Sequence, residues 1–172
     1  MYKKYIHSFW HWYEQYYLIN IGISAGLFLL QLIHLYWLTT DVVTSRLLGQ
    51  SFFEPMGVWK LVIVLVDYLE IPTIVSVSLV YINELRQRTS VRSWLLLLLL
   101  NSQWIHIFWV TDEVVEEILT GVGATVLPVW AAWIAILIDY LELPVIADTV
   151  RRFIAAARAN HVQEFLKKEF VE

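Results

Sequence analysis

Two long apolar stretches of this chain carry the same acidic pattern near their middles: Asp67-Tyr68-Leu69-Glu70-Ile71-Pro72 and Asp139-Tyr140-Leu141-Glu142-Leu143-Pro144. A bilayer-spanning helix takes roughly 17 to 25 predominantly apolar residues. Four stretches meet that requirement, from about Leu18 to Thr39, Val58 to Ile82, Trp94 to Val110 and Val126 to Val150. A soluble helix keeps one polar face, whereas these are apolar all round except at a few positions. Across the 172 residues, 59% are hydrophobic and 16% charged, against about 25% charged in an average soluble domain. Disorder is excluded, because a solvated chain cannot carry that much apolar surface. The expected fold is all-α, a polytopic membrane protein with four transmembrane helices.

The basic residues set an expected topology. Ten of the twelve Lys and Arg precede the first span, lie between the second and third, or follow the fourth. Arg46 and Lys60 lie on the other side with Asp41, Glu54, Asp112, Glu113, Glu116 and Glu117. The positive-inside rule then places both termini in the cytoplasm and an acidic rim outside. This predicts an integral protein of a bacterial or archaeal cytoplasmic membrane, with the lipid bilayer as its first partner. The first apolar stretch is of span length and lacks a small-residue cleavage site, so it is expected to be retained. With a net charge of −4, a nucleic-acid partner is not expected. Zero cysteine excludes disulfides, thiolate metal sites, iron–sulfur clusters and thiol catalysis.

Both ends read as interfacial. Residues 1–17 mix Tyr, Trp, Phe and His with Lys3 and Lys4, as at headgroup level. In 151–172, Phe153, Ile154, Ala157, Val162 and Phe165 recur at helical spacing among Arg and Lys, which predicts an amphipathic helix on the cytoplasmic membrane surface.

The chain also repeats itself at an offset of 72 residues. Gln31, His34, Trp37, Thr39 and Val43 align with Gln103, His106, Trp109, Thr111 and Val115, and the acidic patterns align at the same offset. Two spans per unit give both units one orientation, so the expected arrangement is a pseudo-twofold axis along the membrane normal. The units are 18–90 and 91–150, combining into a four-helix bundle. Neighbouring lipid-type positions differ between copies, such as Leu32 against Trp104, while Gln, His, Asp and Glu are identical.

These retained residues define the candidate site. Asp67 and Glu70, like Asp139 and Glu142, are three apart and share a helix face. An ionised carboxylate at mid-membrane costs at least about 2.5 kcal/mol, and no Lys or Arg lies at that depth to offset four of them. Protonation or bound cations are the two remedies. Two His and four carboxylates from four helices match the ligand inventory of carboxylate-bridged dinuclear centres in helical bundles. His34, Asp67, Glu70, His106, Asp139 and Glu142 are therefore the expected ligands of divalent metal ions, expected to be two. The oxygen-rich set with imidazole suits Fe, Mn or Zn. His34 and His106 start one to two turns outside the carboxylates, a gap that a tilt or a kink at Pro72 and Pro144 would close. Gln31 and Gln103 are expected to support the His or carboxylates, with Tyr68 and Tyr140 as further hydrogen-bonding neighbours. Asp41 and Glu113 are expected at an entrance. Trp37 and Trp109 read as interface anchors, Asp148 as a local partner of Arg151 or Arg152, and Gly121 with Gly123 as a loop.

The function expected from this inventory is redox chemistry by a non-haem metal pair, acting on a hydrophobic substrate such as a lipid or quinone. Alternatives are a divalent-cation transporter or channel built as an oligomer, a bis-His haem protein held by His34 and His106, and a structural subunit of a larger membrane complex. No nucleophilic, phosphate-binding or zinc-protease motif is present.

Overall fold

The computed structural model describes residues 2–54, 56–111 and 128–169, and is all-helical within them. Helix α1 covers Tyr2–Gln15 and α2 covers Tyr17–Trp37. A π-helical stretch, Leu38–Val43, carries α2 into α3, Thr44–Leu48. The second span is α4, Val58–Tyr68, followed by α5, Glu70–Gln87. The third is α6, Val91–Val110. The fourth is α7, Val129–Tyr140, and α8, Leu143–Glu169. Four helical runs are long and apolar enough to cross a membrane: Tyr17–Leu48, Leu61–Gln87, Val91–Val110 and Val129–Ala159.

The first run extends past the expected Thr39 because its sequence holds no stop signal before Gly49. That glycine takes φ 72°, the left-handed conformation that ends helices cheaply without a Cβ. The third run begins with Ser90, whose hydroxyl accepts from the Ser93 backbone N–H at 3.2 Å and caps the helix. After Pro144, α8 continues without a break from the fourth span into the positively charged tail, so 151–169 is helical but does not begin as a separate element.

The second and fourth spans are interrupted, and at equivalent places. Leu69 and Leu141 both have φ −67° and ψ −13°, which ends α4 and α7. The prolines follow by three residues. Pro72 and Pro144 have no N–H to give the carbonyls of Tyr68 and Tyr140, and their rings crowd those carbonyls. A continuous α-helix therefore fails there, whereas proline is tolerated in the first turn of the next helix. The expected kink takes the form of a one- or two-residue interruption, at Leu69 in the second span and Leu141–Glu142 in the fourth, inside runs that are helical on both sides, with Glu70 beside the first and Glu142 within the second.

Helix α2 packs on α5 and α8, while α6 packs on α5 and α7, so the first and third spans each touch both neighbours. Phe28, Val77, Tyr81, Leu100 and Val145 are fully buried between them. Gly22 permits a close approach, since a Cβ there would meet the Phe153 ring at 3.0 Å. The outward surface is paved with large apolar side chains, among them Ile23, Leu65, Leu98 and Leu137. Such a surface suits lipid better than water.

Candidate metal centre

The helix breaks bring six polar side chains to one level inside the bundle. His34 comes from α2 and His106 from α6. Asp67 and Asp139 stand at the ends of α4 and α7, one residue before Tyr68 and Tyr140. All six candidate ligands are 7% exposed or less. The axial gap expected between the His and the carboxylates is closed: His34 Nδ1 lies against Asp67 Oδ1. Its counterpart, His106 Nδ1, is 2.7 Å from Asp139 Oδ1. His34 Nε2 also approaches Asp139 Oδ2 at 3.7 Å, so Asp139 stands between both imidazoles. The two rings have centroids 5.4 Å apart and planes inclined at 71°. Glu70 and Glu142 are buried three residues after these aspartates.

The basic groups in contact with the cluster's aspartates are its own two imidazoles, which carry charge only when protonated. Among the described residues, no Lys or Arg is paired with any of these four carboxylates. Glu70 and Glu142 do sit at the start of α5 and α8, where the partial positive end of a helix favours negative charge. That helps, but it does not satisfy the lone pairs. His34 Nδ1 and Nε2, Asp67 Oδ1, Glu70 Oε1, Asp139 Oδ1 and Glu142 Oε1 are all buried without a hydrogen-bond partner. His34 and Asp67 touch, yet no N–H is aligned to donate between them. Buried polar atoms are nearly always partnered; here the neighbours that His34 Nδ1 and Asp139 Oδ1 have are Asp67 Oδ1 and His106 Nδ1, without an aligned N–H. They are the donor atoms that cations would bind. Nδ1 or Nε2 of His34 and His106 and an oxygen of Asp139 all lie within 4.8 Å of one another, close enough to share a metal ion.

The supporting residues do not all act where the sequence suggested. Gln31 and Gln103 do not bond the His or the carboxylates with their amides. Gln31 Nε2 donates to the Val66 carbonyl at 2.8 Å, and Gln103 Nε2 to the Ile138 carbonyl at 2.9 Å. Each glutamine thus holds the peptide just before the aspartate of its own half. Tyr68 and Tyr140 turn across the bundle. The Tyr68 hydroxyl is 2.6 Å from Thr111 Oγ1, and that of Tyr140 is 2.6 Å from Thr39 Oγ1. These threonines were missed as functional neighbours, although their identity at the 72-residue offset was the available signal.

At the same end, Trp37 Nε1 donates to Asp41 Oδ2 at 2.9 Å, so Asp41 is tied to the first span. The Trp37 ring also lies edge-on to His34, with centroids 5.5 Å apart. Glu113, the rim at Asp112, Glu116 and Glu117, and the glycines 121 and 123 fall outside the described residues, as do the side chains of Lys60, Val162 and Phe165.

At the opposite end of the bundle Asp148 collects more partners than its local arginine. Arg152 Nε and Arg92 Nη2 each donate to it at 2.6 Å, and the Tyr81 hydroxyl at 3.1 Å. Arg152 reaches Glu84 at 2.6 Å as well. This ionic cluster clamps α5, α6 and α8 together.

No family model matches the chain, and no curated protein or solved structure was found to resemble it.

Proposed function

We propose that the chain is a membrane-embedded metal protein whose two halves, 18–90 and 91–150, are a tandem repeat about a pseudo-twofold axis along the membrane normal. The centre between them takes two divalent cations. The observation that carries this reading is the convergence of buried imidazoles and carboxylates, with His34, His106 and Asp139 bringing ligand atoms within 4.8 Å of one another. Charge counting agrees with it: four carboxylates balance two divalent ions without help from any basic side chain. His34 with Asp67, and His106 with Asp139, would supply nitrogen and oxygen ligands, and Glu70 and Glu142 would add further carboxylates. Oxygen and imidazole donors without thiolate suit iron, manganese or zinc. The imidazoles turn to aspartates, which favours ions over a haem. Both termini are cytoplasmic in this reading, and α1 lies along that membrane surface, while α8 carries the fourth span on past it.

An iron or manganese pair, when bound, supplies redox chemistry, and the surrounding lipid supplies a hydrophobic substrate of the lipid or quinone class. The chain's own residues hold the ions, fix the aspartates through Gln31 and Gln103, and exclude water with the apolar layer of Phe28, Val77, Leu100 and Val145. A second reading, a cation transporter, is favoured by one feature: the second and fourth spans break beside the centre, as helices do at many transport sites.

The test is elemental analysis of protein purified from membranes, native and Glu70→Gln. Stoichiometric metal that survives dialysis and falls in the variant supports a resident centre. Metal-dependent flux in proteoliposomes, without tightly held ions, would favour transport. A chain that takes up no metal and whose His34→Ala, His106→Ala double variant is unchanged would be a structural subunit.

A further inference from the structure

The arginines near the α5–α6 turn fall into two kinds. Arg88 and Arg92 are ion-paired, with Glu84 at 2.5 Å and Asp148 at 2.6 Å, and Arg152 is paired with both acids. Arg86 forms no ion pair among the described residues. Its guanidinium lies over the Trp10 ring, 4.2 Å from the centroid, and Nη1 donates to Asn83 Oδ1 at 3.1 Å. Stacked on an aromatic face and held at one corner, it is oriented while most of its five N–H donors remain available.

Arg86 forms one wall of a groove of about 350 Å³, with Ile6, His7, Trp10, His11 and Glu14 opposite. His7 and His11 are four residues apart on α1 and therefore share a face. The one carboxylate of the lining, Glu14, already accepts from Gln87 Nε2 at 3.4 Å. The depth of the groove is set by Arg86, which stands in the last turn of the Leu61–Gln87 run. That is where a span leaves the hydrocarbon and meets lipid phosphates.

We infer that this groove binds the phosphate of an anionic membrane lipid. A guanidinium presents paired N–H groups that match two phosphate oxygens. His7 and His11 add donors from the facing helix. Ile6 and Trp10 offer apolar surface to the glycerol and upper acyl chain, the usual place of tryptophan at the interface. The other half of the chain provides an internal control. Arg158 stands 72 positions after Arg86 and lines a groove of about 360 Å³ with Ala147, Val150, Arg151, Ile154 and Ala155. That groove has no aromatic ring to orient a guanidinium and no histidine, so it lacks the built features of the first. The inference does not depend on metal binding.

The experiment places the full chain in nanodiscs of phosphatidylcholine with or without phosphatidylglycerol and counts retained lipids by native mass spectrometry. Wild type is expected to retain phosphatidylglycerol over phosphatidylcholine. Arg86→Gln is expected to lower that preference about tenfold, the size of one lost charge-assisted contact. Arg86→Lys, which keeps the charge but not the fork, should fall between, and Arg158→Gln, which removes only a diffuse surface charge beside Arg151, should lower the preference less than Arg86→Gln. Equal retention of the two lipids, or a preference that Arg86→Gln leaves intact in a folded protein, would overturn the inference. A detergent-solubilised chain stabilised as well by inorganic phosphate as by the lipid, with the gain lost in Arg86→Gln, would overturn the lipid assignment in favour of a free anion.

Discussion

Compared position by position, the two halves of the bundle agree at the centre and diverge at the end where the arginines gather. At the centre, Gln31, His34, Asp67, Tyr68 and Glu70 meet identical residues 72 positions on. Their contacts correspond too, from the glutamine-to-carbonyl bonds to the crossed tyrosine–threonine pairs. Towards the other end, Ser76, Val80 and Tyr81 face Asp148, Arg152 and Phe153 at the same offset. There the first half contributes a hydroxyl pair, Ser24 to Ser76 at 2.9 Å, where the second half contributes buried charge. The difference separates two demands. A clamp works from one side, so one copy suffices and the other is free to change. On the proposed reading, a centre that draws donors from both halves uses both copies, and both keep them.

The largest expected effect breaks the agreement at the centre itself. Asp139 faces both imidazoles, whereas Asp67 faces only His34. Asp139→Asn should therefore abolish metal retention, while Asp67→Asn leaves part of it, both read as metal per chain. Equal losses would mean that the two aspartates are interchangeable and the asymmetry carries no weight.

At the charged end, Asp148→Asn leaves Arg152 and Arg92 facing a neutral amide. A broken buried pair costs about 3–5 kcal/mol, and the exposure of Arg92 puts the expectation near the low end of that range. Ser76→Ala, at the equivalent position, should cost only about 0.6 kcal/mol, typical of one interhelical hydrogen bond in a membrane. Thermal unfolding midpoints in a single detergent compare the two directly. Similar shifts would remove the contrast between the halves.

Smaller effects sharpen the same comparison. Gln31→Leu and Gln103→Leu should each weaken metal affinity by roughly 10–100-fold in a competition titration, the usual range for a group that orients a ligand, with the larger loss in Gln103→Leu because Gln103 holds the peptide before Asp139. Tyr68→Phe and Tyr140→Phe should each lower stability by about 0.6 kcal/mol. Equal losses in the glutamine pair would count against the asymmetry of the aspartates, and unequal losses in the tyrosine pair would extend it.

The spans were legible because a bilayer imposes a length and a polarity that few other constraints imitate. The burial of these polar residues together was legible because charge deep in an apolar helix needs a partner, and the repeat supplied a comparison inside one chain; the structure groups His34, His106 and Asp139 as residues that could share an ion. The break at Leu69 and Leu141 was less so. Proline signals a fault, but its position depends on how the crowded carbonyls of Tyr68 and Tyr140 are relieved upstream. The crossed tyrosine–threonine pairs and the Arg92–Asp148 contact depend on rotation about each helix axis and on which spans become neighbours. Neither is written in local sequence. Asp148 was expected to find an arginine on its own helix, as it does in Arg152, but its partner on α6 required the packed bundle.

The most direct test of the dinuclear centre is X-ray absorption at the metal edge of the loaded protein, compared with His106→Ala. The account predicts oxygen-rich coordination with imidazole scattering, a second metal in the outer shell, and loss of about half the imidazole signal in the variant. A spectrum without imidazole or a neighbouring metal, unchanged in His106→Ala, would contradict it.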